Sequence, residues 1–259
     1  MSVKISIIIP CFNHGKYLNQ AIESVLKFDK QSILEVIIVN DGSTDKETLR
    51  VLKTIEFDNV RIVDQENSGL AKARNNGIRL SQGEYILPLD SDNYINPRYI
   101  NEALDILNQN GEIGVVYSDR IVFYDSSEKT HVKKAPAIKM KNLLFGETID
   151  ACAVFRKSIW EQLSGYDEKM PIMGLEDWDF WIRALEIGVK FHHIQKGMFY
   201  YRDLPDSMIK NVGNKQQVIM KYMVEKHAKI YAEYILEIGK EISYARRKPF
   251  KNFVKTLFE

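Results

Sequence analysis

Ile5-Ser6-Ile7-Ile8-Ile9 followed by Pro10-Cys11-Phe12-Asn13 sets the reading of this chain. A run of β-branched residues favours an extended strand, and the proline and polar residues behind it end the run in a turn. Outward from there the pattern repeats. Residues 17–27 place Leu18, Ala21, Ile22, Val25 and Leu26 on one helical stripe. Residues 34–39 form a second apolar strand, and 44–54 a helix carrying Leu49, Val51 and Leu52. A third strand at 60–63 precedes a helix at 70–80, with Gly83 as its expected C-terminal cap. Residues 85–89 read as a fourth strand, and Pro97 opens a helix bearing Ala103, Leu104 and Leu107. A fifth strand follows at 114–117. Buried strands alternating with amphipathic helices imply an α/β fold whose mostly parallel sheet has helices on both faces.

The second half is less regular. Residues 125–136 read as a surface loop or hairpin, 149–155 as a strand, 158–163 as a short helix and 165–174 as a loop. A helix is expected at 177–187, strands at 189–194 and 197–201, and a helical pattern from 215 to 242. The expected organisation is one domain over 1–213, with 214–259 as its helical C-terminal extension.

Composition narrows the class. Of 259 residues, 45 % are apolar and 27 % charged, as in folded soluble proteins, which excludes a disordered or collagen-like chain. The formal net charge of +1 gives no electrostatic case for a nucleic-acid partner. No apolar run approaches the ~18 residues of a membrane span, and no leader pattern is visible at the N-terminus. Cys11 and Cys152 form no CxxC pair and sit in apolar company. They read as buried, inert thiols in a cytoplasmic setting.

Ligands of such sheets bind beyond the carboxyl ends of the strands, so the turns there carry the chemistry. Asp90-Ser91-Asp92 can direct two carboxylates at one hard cation, with a diphosphate supplying further oxygens. The plain alternative is a solvated turn in which Asp92 or Asn93 caps the next helix. Asp41-Gly42-Ser43-Thr44-Asp45 reads as a cap, with Ser43 or Thr44 at the N-cap and Glu47 as capping-box partner, which leaves Asp41 for a base or ribose. Asn67-Ser68-Gly69 opens a helix carrying Lys72 and Arg74, suited to a phosphate or equally to a solvated basic face. Glu176-Asp177 precedes Trp178, Phe180 and Trp181. Acids are favoured at a helix start in any case, yet acids beside aromatic rings also describe a general base at the floor of a sugar site.

Taken in order, Pro10-Cys11-Phe12-Asn13, Asn40-Asp41-Gly42-Ser43, the stretch from Asn67 to Asn75, Leu89-Asp90-Ser91-Asp92-Asn93 and the stretch from Gly174 to Trp181 resemble the inverting family 2 glycosyltransferases of GT-A fold. The resemblance spans residues 3 to 208. It implies that Pro10 and Phe12 line a base pocket, that Asp41 contacts the base, and that Arg74 serves the base or phosphate side. It places Asp90 with Ser91 at the ribose. Asp92, with Asp90, would hold a divalent ion, Mn2+ or Mg2+, on the donor diphosphate. Asp177 would be the catalytic base, with Glu176 beside it. Tyr201-Arg202 and Asp206-Ser207-Met208 resemble the loop that folds over the donor, although a histidine often found there falls at Leu204. His192 and His193 read as structural.

The function implied is transfer of one sugar from a nucleotide-sugar donor, by default UDP-linked, to a hydroxyl of a saccharide or lipid-linked acceptor in bacterial surface polysaccharide or glycolipid assembly. The absence of GxGxxG and GxxxxGK[ST] disfavours dehydrogenase and P-loop readings. A non-catalytic sugar-nucleotide-binding protein on the same fold is the main rival. Residues 244–259 are basic, with Phe250, Phe253, Val254, Leu257 and Phe258 on one helical face. That face fits peripheral contact with an anionic membrane or packing against protein.

Overall fold

A computed structural model describes residues 4–29, 33–146, 148–205 and 216–247. The chain divides into two compact units, Met1–Gly213 and Asn214–Glu259. In the first, β1 (Ile5–Cys11), α1 (Gly15–Leu26), β2 (Leu34–Asp41), α2 (Lys46–Lys53), β3 (Val60–Gln65), α3 (Leu70–Leu80) and β4 (Tyr85–Pro88) alternate as expected. Then come β5 (Tyr94–Ile95), α4 (Arg98–Gln109), β6 (Ile113–Tyr124), β7 (Ser127–Lys133), α5 (Met140–Leu144), β8 (Val154–Arg156), α6 (Lys157–Gln162), α7 (Glu176–Glu186) and β9 (Lys190–Arg202). The second unit comprises α8 (Gln216–Lys226) and α9 (Ala228–Arg247).

Among the described residues the nine strands form one sheet in the order β3-β2-β1-β4-β8-β6-β9-β5, with β7 paired to β6. The pairs β1/β2, β1/β4, β2/β3 and β6/β9 are parallel, whereas β8 runs antiparallel to both β4 and β6. β1 and nearly all of β2 are buried, as a central strand covered on both faces must be. The core joins Ile5, Ile7 and Ile9 of β1 to Leu18, Ile22 and Val25 of α1 and to Tyr99, Ala103 and Leu107 of α4. On the other face α3 packs closely, because Gly77 has no side chain. A Cβ there would sit 2.5 Å from Ile8 Cγ2.

The structure corrects several boundaries. β9 is one strand of 13 residues rather than two. Expected strand 149–155 shortens to β8, Val154–Arg156. The two-residue β5 was not foreseen, being too short to carry a pattern. Gly83 does not cap α3. Ser81 holds that place in extended conformation, and Gly83 lies against Ser6, where a Cβ would come within 2.6 Å of Ser6 Oγ. Among the described residues no helix is long and apolar enough to cross a membrane. Asp206, Ser207 and Met208 of the expected donor-covering loop, and residues 248–259 of the basic tail, lie outside the described residues.

Candidate active site

The turns after β1 and β2 are clamped to each other by Asn13. Its backbone adopts φ 55°, its N–H donates to Ser43 Oγ at 3.0 Å, and its Oδ1 accepts from Thr44 N at 2.8 Å and Asp45 N at 3.1 Å. Asparagine tolerates this left-handed conformation better than most residues. With Ser43 and Thr44 occupied by Asn13, neither caps α2. Asp45 does so, accepting from Thr48 N at 2.8 Å. Pro10 is buried in β1 opposite Val39, whereas Phe12, beyond the strand, is 43 % exposed.

Asp41 closes β2 and is 4 % exposed. Its Oδ1 accepts from Gln65 Nε2 at 2.7 Å and Ser68 N at 2.8 Å, and its Oδ2 from Gly69 N at 2.9 Å. The carboxylate thus fixes the chain entering α3 and the direction in which α3 presents Arg74. That makes Asp41 more than a free turn residue.

Arg74 is the centre of the cluster. It is 2 % exposed, its Nη2 lies 2.5 Å from Asp90 Oδ1, and its Nη1 bonds Glu176 Oε1. Burial opposes its charge, but Asp90 and Glu176 outweigh that and raise its pKa further. Its Nε is buried without a partner among the described residues. Glu176, 1 % exposed, also accepts from Gly174 N at 2.9 Å, so both its oxygens are engaged. Arg74 therefore ties the turn after β4 to the start of α7. Its partners lie 16 and 102 residues away, which is why no local pattern announced them.

Three other acids are less compensated. Asp177, half-buried in the first turn of α7, has its carboxyl pushed well above the usual range, by burial first and Glu176 second, with Arg74 opposing. Asp92 is raised to about 7, by burial and then by Asp90. Its Oδ2 lies 4.0 Å from His14 Nδ1, a neighbour the sequence did not announce. Asp150 is raised by burial although it accepts from Arg120 Nη1 at 3.1 Å, and its Oδ1 accepts from Cys152 N at 3.0 Å. Asp150 was not foreseen, since a lone acid in the apolar stretch Ile149–Ala153 carries no motif. Ser91, between the two acids of the turn, is buried.

Arg202, at the end of β9, holds the acidic turn from the far side. Its Nε donates to Asp92 O at 2.9 Å and its N–H to Asn93 Oδ1 at 3.0 Å. Its guanidinium bonds Asp125 and Gln20 and lies over the rings of Tyr17 and Phe123 at 4.4 and 4.5 Å. Neither Asp92 nor Asn93 caps α4; Pro97 stands at that cap, and Asn96 Oδ1 accepts from Arg98 N. His193 Nε2 pairs with Asp119 Oδ1 at 2.7 Å and stacks on Tyr117.

Among the described residues no three His, Cys, Asp or Glu side chains are grouped to hold a metal. Asp90 and Asp92 offer a two-carboxylate turn, and the raised basicity of Asp92 marks a site short of positive charge. This donor set fits a hard divalent ion only if a ligand supplies the remaining oxygens. A recess of about 410 Å3 lined by Lys4, Glu84, Arg156 and Lys157 contains none of these residues.

The model of "Glycosyl transferase family 2" matches residues 6–164. A chondroitin synthase of Escherichia coli is 31 % identical over 240 residues, covering 91 % of this chain and 33 % of that protein. A hyaluronan synthase of Pasteurella multocida is 30 % identical over 240 residues, covering 89 % of this chain and 24 % of that protein. The chain thus spans a third or less of these relatives. The crystal structure of S. aureus TarS 1–349 in complex with UDP-GlcNAc superposes with TM-score 0.67 at 21 % identity, covering 80 % of this chain and 61 % of that one. The likeness shows a shared GT-A-like fold.

Proposed function

We propose that this chain, which belongs to glycosyl transferase family 2, moves one sugar from a nucleotide-sugar donor to a hydroxyl of a saccharide or lipid-linked acceptor, with inversion at the anomeric carbon. The observation that carries the reading is the Arg74 node. It bonds Asp90 and Glu176, and the acids next to these in sequence, Asp92 and Asp177, are of raised basicity. UDP is the nucleotide we favour, and TarS, described in complex with UDP and UDP-GlcNAc, supports it. Relatives named as polysaccharide synthases support a role in polysaccharide assembly. The two free, buried cysteines fit a cytoplasmic setting.

In this reading Phe12 offers its exposed ring to the base, and Asp41 keeps the 65–69 segment shaped around it. Asp90, oriented by Arg74, faces the ribose. Asp92 and Asp90 would hold Mn2+ or Mg2+ together with the donor diphosphate, and the ion would stabilise the charge growing on the leaving group. Asp177 accepts the proton of the attacking acceptor hydroxyl. Burial and Glu176 shift its carboxyl toward greater basicity, the direction that favours a proton acceptor. Attack opposite the departing diphosphate inverts the anomeric centre.

A panel of UDP-, GDP- and dTDP-sugars, assayed by thermal shift and by release of free nucleotide with and without Mn2+, tests the proposal. Stabilisation with nucleotide release is expected for one donor. Stabilisation without release, with any acceptor, would favour the binding-protein reading, and neither would overturn both.

A further inference from the structure

Beside Asp150 a recess of about 90 Å3 opens between β6, the foot of β7 and residues 148–150. Arg120, Lys133 and Lys134 line it with Asp150 and Phe199, so three cationic residues and one acid border it. That carboxylate is already engaged on both oxygens, by Arg120 and by Cys152 N. Arg120 uses one N–H on Asp150 and spreads its guanidinium over the Tyr201 ring at 4.5 Å, which holds it in place with its other N–H groups unspent among the described residues. Lys133 and Lys134 are exposed and form no ion pair among the described residues.

The wall of the recess is fixed. Asp119 Oδ1 accepts from Ala135 N at 2.9 Å, and the Tyr117 hydroxyl donates to Pro136 O at 3.3 Å. The segment carrying both lysines is thereby pinned to β6, so a ligand would meet cations already in position. Asp150 lies within electrostatic reach of both Asp90 and Asp177.

A water occupies roughly 30 Å3 of liquid. The recess has room for several waters, or for one carboxylate or phosphate. Resting on the transferase reading above, we propose that it is an acceptor subsite that takes an anionic substituent, a carboxylate or phosphate carried by the acceptor saccharide. Arg120 supplies the planar N–H donors that suit either anion. A membrane surface would need a broad basic face, whereas here three cationic residues border one small recess.

The test uses the full chain with saturating UDP and Mn2+. Three trisaccharides of one backbone, ending in glucose, glucuronate or glucose 6-phosphate, are titrated against the native protein and against Lys133→Ala/Lys134→Ala and Arg120→Gln. At least one anionic probe should bind tenfold or more tighter than the neutral one, and whichever does identifies the anion. The double lysine variant should lose most of that preference while UDP affinity stays unchanged. Equal affinity for charged and neutral probes, no binding of any probe, or a preference that survives both variants overturns the proposal. So does lysine-dependent binding to phosphatidylglycerol vesicles without saccharide preference. Loss of UDP binding by the native protein would instead count against the transferase reading.

Discussion

Asp41 and Asp92 stand at the ends of nearby strands, and the fold treats them in opposite ways. Asp41 is surrounded by donors from its own chain, three within 2.9 Å. Asp92 has Asp90 beside it and no comparable set of donors among the described residues, and burial drives its pKa to about 7. The same residue type at the same sort of turn is satisfied by donors in one place and raised in pKa in the other. The difference lies in the surroundings: neutral donors of the chain satisfy Asp41, whereas burial and neighbouring carboxylates raise Asp92 and Asp177.

The contrast is broken most directly at the poised acids. Asp177→Asn keeps shape and removes basicity, so turnover should fall about 10²–10⁴-fold while UDP affinity persists. Near-native turnover, or retained anomeric configuration by NMR of the product, would remove Asp177 from the base role. The native rate should also depend on pH in the direction set by the raised pKa. The active form is the carboxylate, so the rate should climb with pH on a limb displaced above the ordinary carboxylate range. A limb centred near pH 4 would contradict this.

A second test reads stability. Asp92 in the folded chain is pushed up to about 7 from its ordinary 3.8, so the unfolded chain ionises first. Its contribution is intact below about pH 4 and is lost as pH rises to about 7. Asp92→Asn should therefore match the native protein at pH 4 and be more stable at pH 8, by a few kcal/mol at most at about 1.4 kcal/mol per unit. Equal melting temperatures at pH 8 would show that Asp92 is not strained by its surroundings. Asp41→Ala should move stability the other way. It strands three donors, two of them backbone N–H groups, and should destabilise by about 1–3 kcal/mol. An unchanged melting temperature would erase the contrast. The smallest effect on rate is expected for Glu176→Gln, which retains an acceptor for Arg74 and leaves Asp177 in place. Its loss of turnover should be well below that of Asp177→Asn, and an equal loss would make the two acids a joint base.

The first half was legible because its signals are local. The run Ile5–Ile9, the stripe of α1 and the bounds of α3 follow from period and propensity alone. The second half was harder to read. β9 crosses Gln195, Lys196 and Gly197, which interrupt its apolar pattern, and it remains a strand because β6 pairs with it along most of its length. Among candidate site residues, those in turns after buried strands were visible, since polar turn residues at the carboxyl ends of strands are a readable feature. Asp150, His14 and the clamp of Asn13 were not, because each gains its meaning from a partner on another element.

Sequence by itself determined the alternation of strands and helices, the family, and the order of the acidic turns. These depend on neighbours within a few residues, where covalent spacing fixes geometry. Only the tertiary structure decided which acids are satisfied and which are not. Arg74 pairs across 102 residues to Glu176, and Arg202 reaches back 110 residues to the backbone of Asp92. Burial and charge compensation are set by what the fold brings within a few ångströms, and no local pattern encodes that.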